Sequence, residues 1–305
     1  MKIVSKLFPT TVVGSYPVVR SIGLRSLLDP FHSAVEVAVA DQLAAGIDIV
    51  SDGQVRGDMI SAFTWKLPGI QGQRVIGKVE PSAKPVTLAD TQYALSKHPM
   101  VKGIVTGPST IAHGLQIATP MYRNREELIM DLAEALIPEV RALEAAGVTI
   151  VQIDEPIFST GVADMQAGLE SLQIITSQLN GATCLHVCGE LVGVIDAILK
   201  VPVTILDFEF SESQINLDLL SKKDLKGRMI GYGCVDSSDP NIETAATIKK
   251  RIERGIEAFD PEAMLIDPDC GMRMLTRDIA FKKLQQMVEA CRQMRIEYAD
   301  RGARR

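Results

Sequence analysis

The sequence predicts an α/β chain that forms a single (β/α)8 TIM barrel over residues 1–305, and three observations carry the prediction. Eight short apolar runs recur along the chain. Helical periodicities fill most of the gaps between them, and polar residues gather at the carboxyl ends of the runs.

The runs fall at 11–15, 47–51, 101–106, 149–153, 182–187, 203–208, 228–233 and 263–267. Each is too short for a helix and rich in apolar and β-branched residues, as expected of a parallel strand buried on both faces. Helical patterns lie at 33–45, 125–145, 164–179, 190–199, 242–258 and 279–298. Gly147, Gly181 and the Asp260-Pro261-Glu262 turn end three of them. Residues 69–85 depart from the alternation of strands and helices. They are rich in Gly and Pro yet alternate in character over Arg74-Val75-Ile76-Gly77-Lys78-Val79, which reads as a hairpin insertion after strand 2, over the barrel mouth.

Charge and cysteine usage narrow the class. With 32 basic against 38 acidic side chains, and no basic block outside a short tail at 301–305, the chain has no footprint for nucleic acid. Five cysteines, an odd number without framework spacing, suit a reducing compartment. The first nine residues lack the apolar core of a secretory signal, and no apolar run reaches the roughly 18 residues of a membrane span. The expectation is a cytoplasmic protein with no membrane partner, disordered only in its last few residues.

In a barrel of this kind, active sites lie where the strands end. Gly14-Ser15, Ser51-Asp52-Gly53-Gln54, Thr106-Gly107-Pro108 and Asp154-Glu155-Pro156 close the first four runs. Four residues of zinc-ligand type stand at later strand ends: His186 and Cys188, then Glu209, then Cys270. His186 and Cys188 are two apart on a strand, so both point to one face. An imidazole, two thiolates and a carboxylate make a tetrahedral zinc set, in which Glu209 is the ligand that softer sulfur would displace. The chemistry expected is activation of a substrate thiol as a thiolate that attacks an alkyl group. Cys184 and Cys291 read as core residues, whereas Cys234 ends the seventh run within reach of the metal, where a fifth ligand is unnecessary. His113 follows the third run at the mouth, a minor candidate for ligand or catalytic duty, and His32 and His98 read as helix-start and loop residues.

With those residues in hand, the chain resembles the catalytic domain of the cobalamin-independent methionine synthase family over essentially its whole length. The resemblance is carried by Val13-Gly14-Ser15-Tyr16-Pro17, Ser51-Asp52-Gly53-Gln54, Thr106-Gly107-Pro108, Gln152-Ile153-Asp154-Glu155-Pro156, His186-Val187-Cys188, Glu209 and Asp267-Pro268-Asp269-Cys270-Gly271. It implies one Zn2+ per chain, on His186, Cys188, Glu209 and Cys270, and methylation of homocysteine to methionine. It also implies that Ser15, Asp154 and the residue at position 54 hold the amino acid end of homocysteine. Asp154 has a physical case of its own, because a carboxylate at the mouth suits an ammonium group.

The chain departs from the family pattern at four points. Full-length members carry a further amino-terminal barrel. The place of the Trp used against the folate pterin falls to Gly114, and the place of a proton-donating His falls to Ser238, two residues before Pro240. These three departures predict that methylcobalamin, or a methylated corrinoid protein partner, is the methyl donor in place of a folate. At the fourth, Gln54 stands where members usually have Glu, which removes a charge from the acceptor site and leaves room for another thiol such as coenzyme M. Its sulfonate would need a cationic clamp, for which Arg56 is the nearest candidate. Two other readings complete the set: a structural or storage zinc barrel without catalysis, and a metal-free lyase using Asp52 and Asp154.

Overall fold

The structure, a computed structural model, describes residues 3–20, 29–211 and 213–303. The ends of the two terminal segments considered above, 1–2 and 304–305, lie outside the described residues. The chain divides into two compact units, residues 56–205 and residues 1–55 with 206–305.

In the 56–205 unit a one-turn helix, Ser61–Thr64, precedes a short hairpin. Strands β1 (Ile70–Gln71) and β2 (Arg74–Val75) pair antiparallel. The insertion expected at 69–85 is therefore present as a hairpin, with its pairing confined to the tip. Strand β3 (Lys102–Thr106) follows, and then β4 (Gln116–Ile117), which joins the hairpin through β2. The next two strands are β5 (Ile150–Asp154) and β6 (Ala182–Val187). β3, β5 and β6 are buried at every position and run parallel, with Thr106 opposite Asp154 and Asp154 opposite His186. Each buried Ile or Val side chain contributes about 1.5–3 kcal/mol by leaving water. The helices that connect these strands start on side-chain caps. Asn124 accepts from the Glu127 N–H before the helix Arg125–Ala145, and Asp164 accepts from Ala167 before Met165–Thr176.

The other unit carries most of β7 (Ile205–Glu209), together with β8 (Met229–Val235) and β9 (Met264–Pro268). The sheet order is β3-β5-β6-β7-β8-β9, and β8 runs parallel to β9. The first two expected strands survive only as single parallel bridges, Thr10 to Ile266 and Thr11 to Ile49. The Asp48 carboxylate takes the Thr10 N–H at 2.9 Å, and the Thr10 hydroxyl also reaches it at 3.1 Å. Thr10, just before the first run, is thereby tied to the second run.

In chain order the eight strand positions alternate with helices, which is the (β/α)8 class the sequence predicts. The helical pattern at 190–199 is reduced to Ile195–Ile198, because Gly189 and Gly193 take φ of +93° and +81°, left-handed values that a helix does not contain. Among the described residues no helix is long and apolar enough to cross a membrane.

Candidate metal centre

His186 lies on β6 and is 2% exposed, Cys188 follows the end of that strand, and Cys270 follows β9. One ligand atom from each lies within 4.8 Å of the other two. The donor set itself fits, since two thiols and an imidazole are the soft and borderline ligands that zinc takes. Glu209 ends β7 and is half-buried, but it is not part of the three-residue group found among the described residues.

Around Cys270 the chain is tightly pinned. A Cβ on Gly271 would land on the Ser15 hydroxyl oxygen, and the Met272 N–H donates to the Ser15 carbonyl at 2.8 Å. Gln54 adopts a left-handed φ of +43°; its N–H donates to Asp52, and its carbonyl accepts from Arg273 at 3.2 Å. Ser15 and Gln54, both expected at the acceptor end, thus touch the segment that follows Cys270. Asp269, just before Cys270, is nearly buried, and its carboxylate accepts from the Phe210 N–H, the Ser211 N–H and the Ser211 hydroxyl. Burial pushes its carboxyl up to about 7 against the pull of those donors, and the nearby Glu209 charge adds to the rise. Burial likewise pushes the Cys234 and Cys291 thiols up, Cys291 to about 12, in line with the reading of Cys291 as a core residue.

Asp154 is 5% exposed at the end of β5, and the Gln152 amide donates to it at 2.7 Å. Gln152 went unassigned in the sequence, although its spacing of two from Asp154 on a strand is the signal that would have found it. Glu155 is fully buried. It accepts from the Ser109 and Thr110 N–H groups at 2.9 and 2.8 Å and from the Thr110 hydroxyl at 2.7 Å. Burial outweighs these bonds and pushes its carboxyl up to about 7.

Three sequence arguments meet a local explanation here. Arg56 is engaged by both oxygens of Asp90, so the cationic clamp considered for a sulfonate is already committed. A Cβ at Gly114 would land on the Ile60 side chain, so the missing aromatic at that position reflects close packing and opens no slot for a larger ring. Ser238 closes a turn on Asp236 through both its N–H and its hydroxyl, each at 2.7 Å, which accounts for a small residue there.

A family model described as "Cobalamin-independent synthase, Catalytic domain" matches residues 8–293. The methionine synthase of Methanocaldococcus jannaschii is 43% identical, with 94% of this chain and 99% of that relative covered. The methionine synthase of Methanothermobacter marburgensis is 41% identical, covering 92% of this chain and 98% of that relative. Among solved structures, a B12-independent methionine synthase from Shewanella sp. W3-18-1 in complex with selenomethionine superposes with a TM-score of 0.85. Its identity is 24%, over 96% of this chain and 99% of that one, a likeness of fold. The cobalamin-independent family match overturns the expected methylcobalamin or corrinoid-protein donor. The residues that prompted it, Gly114 and Ser238, are accounted for by packing and by a turn.

Proposed function

The chain belongs to the cobalamin-independent methionine synthase family, catalytic domain, and from that membership we propose a zinc-dependent methyl transfer to the thiol of homocysteine, giving methionine. In this step the acceptor loses its thiol proton, a sulfur–methyl bond forms, and the methyl group's bond to the donor breaks. One observation supports the metal dependence above all others: single ligand atoms of His186, Cys188 and Cys270 lie within 4.8 Å of one another.

Zinc, when bound, supplies the positive charge that keeps an acceptor sulfur deprotonated at neutral pH. His186, Cys188 and Cys270 would hold it, with Glu209 as the exchangeable fourth ligand. Ser15 and Gln54 would grip the amino acid end of homocysteine by hydrogen bonds. Asp154, oriented by Gln152, would supply the negative charge that Gln54 lacks for the ammonium group. The five cysteines, odd in number and without framework spacing, suit a reducing compartment such as the cytoplasm.

Replacement of the metal by cobalt(II) gives a direct test. The cobalt enzyme should show thiolate charge-transfer bands that weaken in Cys188→Ser and Cys270→Ser. Homocysteine should then intensify the sulfur bands of the unmodified enzyme as a sulfur replaces an oxygen. A protein that takes up no metal sinks the zinc reading. A spectrum unmoved by homocysteine points instead to a closed structural site.

A further inference from the structure

Asp269 immediately precedes Cys270 and reaches the chain that immediately follows Glu209. Its carboxylate accepts from the Phe210 N–H at 3.2 Å, the Ser211 N–H at 3.1 Å and the Ser211 hydroxyl. Its own N–H donates to the Val235 carbonyl at 2.9 Å. In the sheet order β7-β8-β9, a side chain from the end of β9 therefore passes the end of β8 and grips the end of β7. Gly233 on β8 makes the passage possible. A Cβ there would stand 2.8 Å from both the Asp269 Cα and its Oδ1, and equally close to the Phe208 carbonyl oxygen. Glu209 is held on its other side as well, its carbonyl accepting from the Asn216 amide at 3.1 Å.

We propose that Asp269 is a positioning residue: it ties the strand end that carries Glu209 to the strand end that carries Cys270, and so fixes where the fourth ligand stands relative to the thiol. The proposal rests on the zinc reading above. The carboxylate oxygens of Asp269 are occupied by three donors, so the residue acts through the backbone at 210–211 and not as a ligand. Ligand-orienting contacts of this kind change metal affinity by about 10–100-fold when removed.

A double-mutant cycle read by metal affinity tests this. Asp269→Asn removes one acceptor oxygen from the triad of donors, and Ser211→Ala removes one donor while leaving Asp269 in place. Chelator competition for zinc is measured for each change in the native background and again with Glu209→Gln, with thermal melting to confirm the fold. Asp269→Asn should weaken zinc binding about tenfold in the native background and by less than about twofold once Glu209→Gln is present. Ser211→Ala should follow the same pattern with a smaller first step, and it carries the test if Asp269→Asn does not fold. An equal loss in both backgrounds makes Asp269 a loop staple only and overturns the proposal, as does unchanged affinity throughout. Failure of the unmodified enzyme to bind zinc would instead defeat the underlying reading, and the two failures are told apart by that first measurement.

Discussion

Glu155, in the 56–205 unit, accepts from two consecutive backbone N–H groups, of Ser109 and Thr110, and from the Thr110 hydroxyl. Asp269, in the other unit, accepts from Phe210 and Ser211 N–H groups and from the Ser211 hydroxyl. Each carboxylate sits just past a strand end, and each has a glycine against it, Gly107 for Glu155 and Gly233 for Asp269, where a Cβ would collide. What they hold differs. Glu155 satisfies N–H groups in the first turn of the helix Pro108–His113, which no helical carbonyl can reach. Asp269 holds an irregular loop beside a proposed metal ligand, and one of its donors, the Phe210 N–H, has a second acceptor in the Gly233 carbonyl at 2.9 Å. The same device therefore serves stability in one place and ligand placement in the other.

The largest effect expected from this contrast is in unfolding free energy. Glu155→Ala leaves two N–H groups and a hydroxyl unpaired in a fully buried space and should cost about 4 kcal/mol in urea unfolding. Asp269→Ala should cost about 2 kcal/mol, because Phe210 keeps its other partner. Equal losses would break the distinction.

Next in size is a pH dependence. The folded-state carboxyl of Glu155 is raised from its ordinary 4.5 to about 7, chiefly by burial, with the Asp154 charge adding to the rise. Between those values the folded chain holds a proton that the unfolded chain has released, so stability falls as pH rises through the window. The loss is about 3 kcal/mol, complete above the folded value and absent below the unfolded one. Metal-free protein unfolded in urea from pH 4 to pH 8 should show it. Glu155→Gln should lose correspondingly less across that range, and an unchanged slope would mean that Glu155 is not the group responsible.

The sequence revealed the strand ends but not what spans them. His186 and Cys188 could be paired on paper because a strand repeats every two residues, and Cys270 joins them because apolar runs predict parallel strands whose ends share a side. The reach of Asp269 past β8 could not be read. It depends on which strand neighbours which and on a glycine whose missing Cβ matters only in three dimensions. The first two strands are present only as single bridges, beside a side-chain bond from Thr10 to Asp48 that a run of apolar residues does not encode. The donor inference, drawn in part from Gly114 standing where the family has a Trp, failed because a letter in the sequence does not show that Ile60 packs where a side chain would go.

The two glycines offer the finest test of the contrast, and the smallest effect in stability. Gly107 has φ of −75°, which any residue adopts, so Gly107→Ala is judged by space alone: its Cβ meets the buried Glu155 carboxylate, which has to shift. At Gly233 the obstruction is partly backbone, the Asp269 Cα and the Phe208 carbonyl oxygen, each at 2.8 Å. Overpacking of this kind costs about 2 kcal/mol at either position. Zinc affinity should separate them. Gly233→Ala pushes Asp269 away from the loop after Glu209 and should weaken zinc binding about as much as Asp269→Asn does. Gly107→Ala disturbs a helix start and should leave zinc affinity within about twofold of the native enzyme. If both alanines lower stability alike and both lower zinc affinity alike, the two carboxylates are interchangeable staples and the division of labour between them does not exist.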